Sequence, residues 1–163
     1  KPEFGMALLR YDGGQFSPRP HALPRLAWEI RKRTSITVDL ATAHVNPNTP
    51  AIFDYPLIVW QGDAAFPPLP PLAITHLRQH LKTGGTLFID ISDALVDGPF
   101  HRSVKRELQR IFPRQPLSRI PMEHVLYKTF YLLERHGGRV PTRAYLEGLS
   151  INGRLSVILS AND

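Results

Sequence analysis

Acidic residues recur where the apolar runs of this chain give out: Asp12 after Ala7–Tyr11, Asp63 after Pro56–Trp60, Asp90 and Asp93 around the end of Thr86–Ile91, and Asp163 after Arg154–Ser160. If those runs are strands of one mostly parallel sheet, the carboxylates gather along its carboxyl edge, where open α/β sheets bind ligands. Such a cluster supplies oxygen ligands for magnesium or calcium, or a pair of carboxylates for acid–base work. Asp is also an ordinary loop residue beside Gly and Asn, and the plainer reading is loop composition.

Histidines offer less. His124 follows Glu123, and a His beside an acid can serve as general base, although a hydrogen-bonded His at the start of a strand explains it as well. His76 and His80 stand four apart on one predicted helix, a metal-ligand spacing, but Leu77 occupies the place where the zincin pattern needs Glu, and no third ligand is near. No serine sits in a Gly-x-Ser-x-Gly elbow, and no P-loop or Gly-x-Gly-x-x-Gly follows a strand.

The elements that must position these groups follow from hydrophobic patterning. Ala7–Tyr11 reads as strand one, ending at Asp12-Gly13-Gly14. His21–Thr34 is an amphipathic helix with Ala22, Leu23, Leu26, Ala27 and Ile30 on one stripe, and Thr34–Leu40 is a β-branched second strand. His44–Tyr55 reads as loop with one short turn; Pro56–Trp60 is a strand apolar on both faces, stopping at Gln61-Gly62-Asp63. The next helix, lined by Ile74, Leu77 and Leu81, ends at Gly84, and Thr86–Ile91 is the central strand. Phe100–Phe112 forms a helix with Val104, Leu108 and Ile111 inward; Pro116–Pro121 and Val125–Leu133 read as extended segments. Asn152-Gly153 between Tyr145–Ile151 and Arg154–Ser160 marks a hairpin. This order predicts an α/β fold of three layers, flavodoxin-like, with an open, mostly parallel sheet and helices on both faces.

With 163 residues and 42% hydrophobic content, residues 1–163 read as a single domain; its abrupt ends suggest a piece cut short at the carboxyl end, and at the amino end as well. No apolar run reaches membrane-spanning length. The absence of Cys excludes disulfides, thiolate metal sites and a Cys nucleophile in this chain. The net charge is +6, and between His101 and Arg119 six bases (Arg102, Lys105, Arg106, Arg110, Arg114, Arg119) face one acid, Glu107, for a local +5. A basic helix can be a phosphate or nucleic-acid footprint, but a solvated arginine-rich face is the plainer reading, so nucleic acid is not the expected partner.

Several stretches together resemble the bacterial family catalogued as domain of unknown function 4159: Arg10–Phe16, Ala22–Glu29 leading to Lys32–Ile36, Phe53–Pro56, Leu81–Asp90, Ser103–Leu108 and Tyr145–Gly148. The resemblance runs from about Phe4 to Asp163. It implies a fold like the class I glutamine amidotransferases, with no established activity. Those enzymes carry a Cys nucleophile on the turn after a central strand; here that turn holds Asp90 to Asp93, so glutamine hydrolysis by that route is ruled out. The family tends to show two adjacent acids after the central strand and a later Asp-His-Pro, whereas this chain has Asp90-Ile-Ser-Asp93 and Glu123-His-Val125. The family's habit of appearing in exported or membrane-associated proteins implies a cell-envelope setting, with the cytoplasm as alternative.

The expectation is a non-catalytic domain binding a small ligand, glycan or partner protein at the sheet's carboxyl edge. The expected ligand-binding residues are Asp12, Gly13, Gly14, Gln61, Asp63, Asp90, Ser92, Asp93, Arg102 and Arg106. The alternative is a hydrolase using a divalent metal with Asp90, Asp93 and His124; otherwise no cofactor is evident.

Overall fold

A computed structural model describes residues 3–13, 37–38, 43–92, 95–120 and 145–161. Among the described residues nine strands fall into two sheets: β1 (Glu3–Phe4), β2 (Met6–Leu9), β3 (Thr37–Val38), β4 (Ala43–Val45), β5 (Leu57–Gly62), β6 (Thr86–Ile91), β7 (Ser118–Arg119), β8 (Leu146–Ile151) and β9 (Arg154–Ser160). Two α-helices, α1 (Pro71–Lys82) and α2 (Pro99–Ile111), and a 3₁₀ turn at Pro50–Asp54 complete the described elements. The main sheet is an α/β layer of seven strands in the order β4-β2-β5-β6-β9-β8-β7. From β4 to β9 every pairing is parallel, while β8 is antiparallel to both neighbours. β6 occupies the middle, with the same bounds that patterning predicts.

Parallel strands covered on both faces read as continuous apolar runs, and β2 and β5 are buried at every residue. Alternation divides them between two faces. Ala7, Leu9, Ile58, Trp60, Leu87, Ile89, Val157 and Leu159 share one core with Ala73, Ile74, Leu77 and Leu81 of α1 and Val104, Leu108 and Ile111 of α2. Both described helices therefore cover one face of the sheet. The helix predicted at His21–Thr34 and the extended segment at Val125–Leu133 lie outside the described residues.

Two sequence readings need correction. His44–Tyr55 is not loop from its first residue, because Ala43–Val45 pairs in parallel with Ala7–Leu9 as the described edge of the main sheet. Three residues carry no readable alternation; pairing with β2, not local propensity, makes them a strand. Within Thr34–Leu40, Thr37–Val38 joins Glu3–Phe4 in a separate two-stranded parallel ladder, so it is not the neighbour of β2.

Proline at the first helical position opens both helices, where its missing N–H costs nothing. Their carboxyl ends are closed by arginines from elsewhere. Arg154 donates Nη2–H to the carbonyls of Leu81 (2.9 Å) and Gly85 (2.6 Å), and Arg78 of α1 donates to Ile111 O (2.8 Å) and Arg110 O (3.0 Å) at the end of α2. Leu81, Arg110 and Ile111 offer last-turn carbonyls with no intrahelical partner, Gly85 lies in the turn that follows α1, and a cation there also meets the negative end of the helix dipole. Gly84 (φ 108°) supplies the left-handed turn from α1 into β6.

His80 packs its ring on Gly85, leaving no room for a Cβ there, and donates Nε2–H to Tyr55 O at 2.7 Å. Burial holds its pKa below the ordinary value of 6.5. The unfolded chain therefore takes up this proton before the folded one does. Stability from this group is complete above pH 6.5 and declines as pH falls through that value toward the lower folded pKa. Melting temperature measured from pH 8 to 5 should fall, and His80→Gln, which keeps a donor for Tyr55, should flatten the profile. An unchanged slope in that variant would assign the effect elsewhere.

Candidate functional site

Pairing between β2 and β5 ends at Leu8 and Val59, although β5 continues to Gly62. Beyond that point the strands part: from β2 the chain passes to β4 on one side and returns to β5 on the other. This is the topological switch point of the sheet, and the crevice outside such ends is where open α/β sheets take ligands.

The two faces of this edge differ. On the helix side Tyr11, Trp60, Phe66 and Phe100 form an aromatic plug; Tyr11 meets Phe66 edge-on at 5.0 Å between centroids and Trp60 at 6.0 Å. Tyr11 donates its hydroxyl to Gln61 O at 3.0 Å, bridging the parted strands. Burial, aided by the charge of Asp63, pushes the Tyr11 phenol far up, so it stays a donor.

On the opposite face three polar side chains stand side by side across the sheet's centre. Gln61 is in register with Asp90, and Asp90 with Ser160. Their exposures are 1%, 7% and 2%. Asp90 and Ser160 both take part in further interactions. Gln61 differs: neither its carboxamide oxygen nor its nitrogen has a hydrogen-bond partner among the described residues. A buried amide without partners costs roughly 1–3 kcal/mol, which makes it an anomaly in a packed domain.

Of the other expected residues, Asp12 and Gly13 lie exposed at the end of β2, and Gly13 (φ 81°) approaches Pro67 so closely that a side chain would collide. Asp63 is half-buried near Tyr11, and Ser92 donates its backbone N–H to Gly62 O at 2.8 Å. Thus Asp12, Gly13, Gln61, Asp63, Asp90 and Ser92 share the carboxyl edge. Gly14, Asp93, His124 and Asp163 lie outside the described residues.

The arginines lie on α2, whose first turn brings Phe100 against Gly62. Arg106 donates to Phe66 O (2.8 Å) and Glu107 Oε2 (3.2 Å); Arg110 donates to Leu69 O (3.0 Å) and Glu107 Oε1 (2.6 Å). They clasp the proline-rich 66–70 connector around a fully buried acid, while Arg102 is exposed on α2. His76 and His80 are held by different carbonyls, Pro47 O (2.7 Å) and Tyr55 O. Among the described residues no three His, Asp or Glu converge as metal ligands, and no helix is long and apolar enough to cross a membrane.

Patterning missed a second polar cluster. His101, fully buried, accepts the Asp97 N–H at Nδ1 (2.7 Å), so the ring proton sits on Nε2 and is donated to Glu147 Oε1 at 2.9 Å. Tyr145 also donates to Glu147; burial and that bond push its phenol up to about 12. Burial opposes ionisation of Glu147, but the two donors outweigh it and hold its pKa below the ordinary value. A charged Glu147 beside the apolar Leu146 and Leu149 was the signal available.

No curated protein matches the chain. A family model, Domain of unknown function (DUF4159), matches residues 5–163, nearly the whole sequence. The chain accordingly belongs to the family described as Domain of unknown function (DUF4159).

Proposed function

We propose that this domain binds a small polar ligand at the switch point of its sheet, against Gln61, Asp90 and Ser160, without transforming it. The observation that carries the reading is the Gln61 carboxamide, buried to 1% exposure with no hydrogen-bond partner among the described residues. A carboxamide offers two donors and an acceptor, so a complementary ligand is one with adjacent donor and acceptor groups, such as the hydroxyls of a glycan. The architecture we infer is flavodoxin-like and akin to the class I amidotransferases: the parallel strands follow the order second, first, third, fourth, as that fold does. The chain has no Cys, so the nucleophile of those enzymes is missing, which favours a binding role for the edge.

A thermal-shift screen of polar metabolites and glycans tests this. A ligand at about 100 times its Kd adds about 2.7 kcal/mol and raises Tm by several degrees. Gln61→Leu should abolish that shift while raising the stability of the free protein by about 1–2 kcal/mol, because an unsatisfied amide is replaced by an apolar side chain. A screen with no shift would leave only a protein partner. A shift that survives Gln61→Leu would place the ligand elsewhere.

A further inference from the structure

A groove of about 340 Å³ opens between the carboxyl half of α2, the 112–117 loop and β8. Leu108, Phe112 and Leu117 give it apolar wall, and Glu147 contributes a carboxylate. That carboxylate is fixed: His101 Nε2–H and the Tyr145 hydroxyl both donate to it, and His101 is locked in the donating tautomer by the Asp97 N–H. A carboxylate has about four lone-pair sites, so two donors leave acceptor capacity. Two cations line the groove; of these, Lys105 Nζ lies 2.7 Å from Asp97 Oδ1, and its charge also reaches Glu147. Arg114 is exposed, so its charge is screened by water.

From a fixed anion beside apolar wall, in a groove of ligand-sized volume, we infer that it binds a small organic cation: a guanidinium or ammonium group on an aliphatic stem. The head group pairs with Glu147, and the stem lies on Leu108, Phe112 and Leu117. This site is separate from the Gln61 row, because Leu149, two positions on from Glu147 and on the same face of β8, belongs to the core shared with the helices, whereas the Gln61 row lies on the opposite face.

The test titrates the full chain with butylguanidinium and with neutral, isosteric butylurea, reading backbone amide shifts by NMR. Saturable shifts over residues 108–117 are expected with butylguanidinium, and at least about tenfold weaker binding with butylurea, the loss of one charge-assisted hydrogen bond. Glu147→Gln should reduce the butylguanidinium response to the butylurea level. Leu117→Lys, a half-buried position on the wall, should block the groove with the fold intact. Equal binding of the two probes, an undiminished response in Glu147→Gln, or no saturable shift would overturn the assignment.

Discussion

Glu107→Leu is expected to lower the unfolding free energy by about 3 kcal/mol in chemical denaturation. Glu107 is wholly buried, and its carboxylate accepts from the Leu69 N–H (2.6 Å), Arg110 and Arg106. Leucine removes the acceptor and leaves the Leu69 N–H buried without it, while the two guanidinium groups lose their counter-charge. Those groups are 40% and 35% exposed, so water recovers part of the loss. This places the effect at the low end of the range for broken buried pairs. Glu107→Gln, which keeps an acceptor for Leu69, should cost about half as much. A loss below about 1 kcal/mol for Glu107→Leu would mean that the connector is held by its apolar contacts alone.

Gly62→Ala should be comparably severe, at about 3 kcal/mol. A Cβ there would overlap the edge of the Phe100 ring and come within 2.6 Å of the Tyr11 hydroxyl. Neither group can retreat easily. Phe100 is fully buried and packs on Phe66 at 5.6 Å and Trp60 at 6.3 Å between centroids, and Tyr11 is tied to Gln61 O. Most of the penalty is overpacking, so it should be relieved by making space: Phe100→Leu in the Gly62→Ala background should recover at least about 1 kcal/mol relative to additivity. Strict additivity of the two substitutions would refute the steric account.

The central stretch from α1 into β6 was readable because each local signal agreed: helical periodicity to Leu81, a glycine pair, then a short apolar strand. Thr86–Ile91 has the predicted bounds, and the Asn152-Gly153 hairpin has both residues at positive φ. β4 was not readable, since three residues paired to β2 owe their conformation to a neighbour distant in sequence. The site was legible only in outline. Strand ends pointed to the carboxyl edge, and Gln61 and Asp90 lie there, but their adjacency depends on strand order, which no local pattern encodes. The same limit hid His101 and Glu147, 46 positions apart. Arg106 looked like a surface base because its commitment to Phe66 depends on how the connector crosses α2.

The row of Gln61, Asp90 and Ser160 also acts on the alignment of the strands that carry it. Parallel apolar strands such as Leu57–Trp60 and Leu87–Ile89 slide past one another at little cost, since one aliphatic residue replaces another. A slip of one position between β5 and β6 would turn Asp90 toward the face packed by Trp60 and Phe100, where a carboxylate meets aromatic rings and no water. Three polar groups across the centre of a hydrophobic sheet thus act as an index mark that penalises a one-position slip.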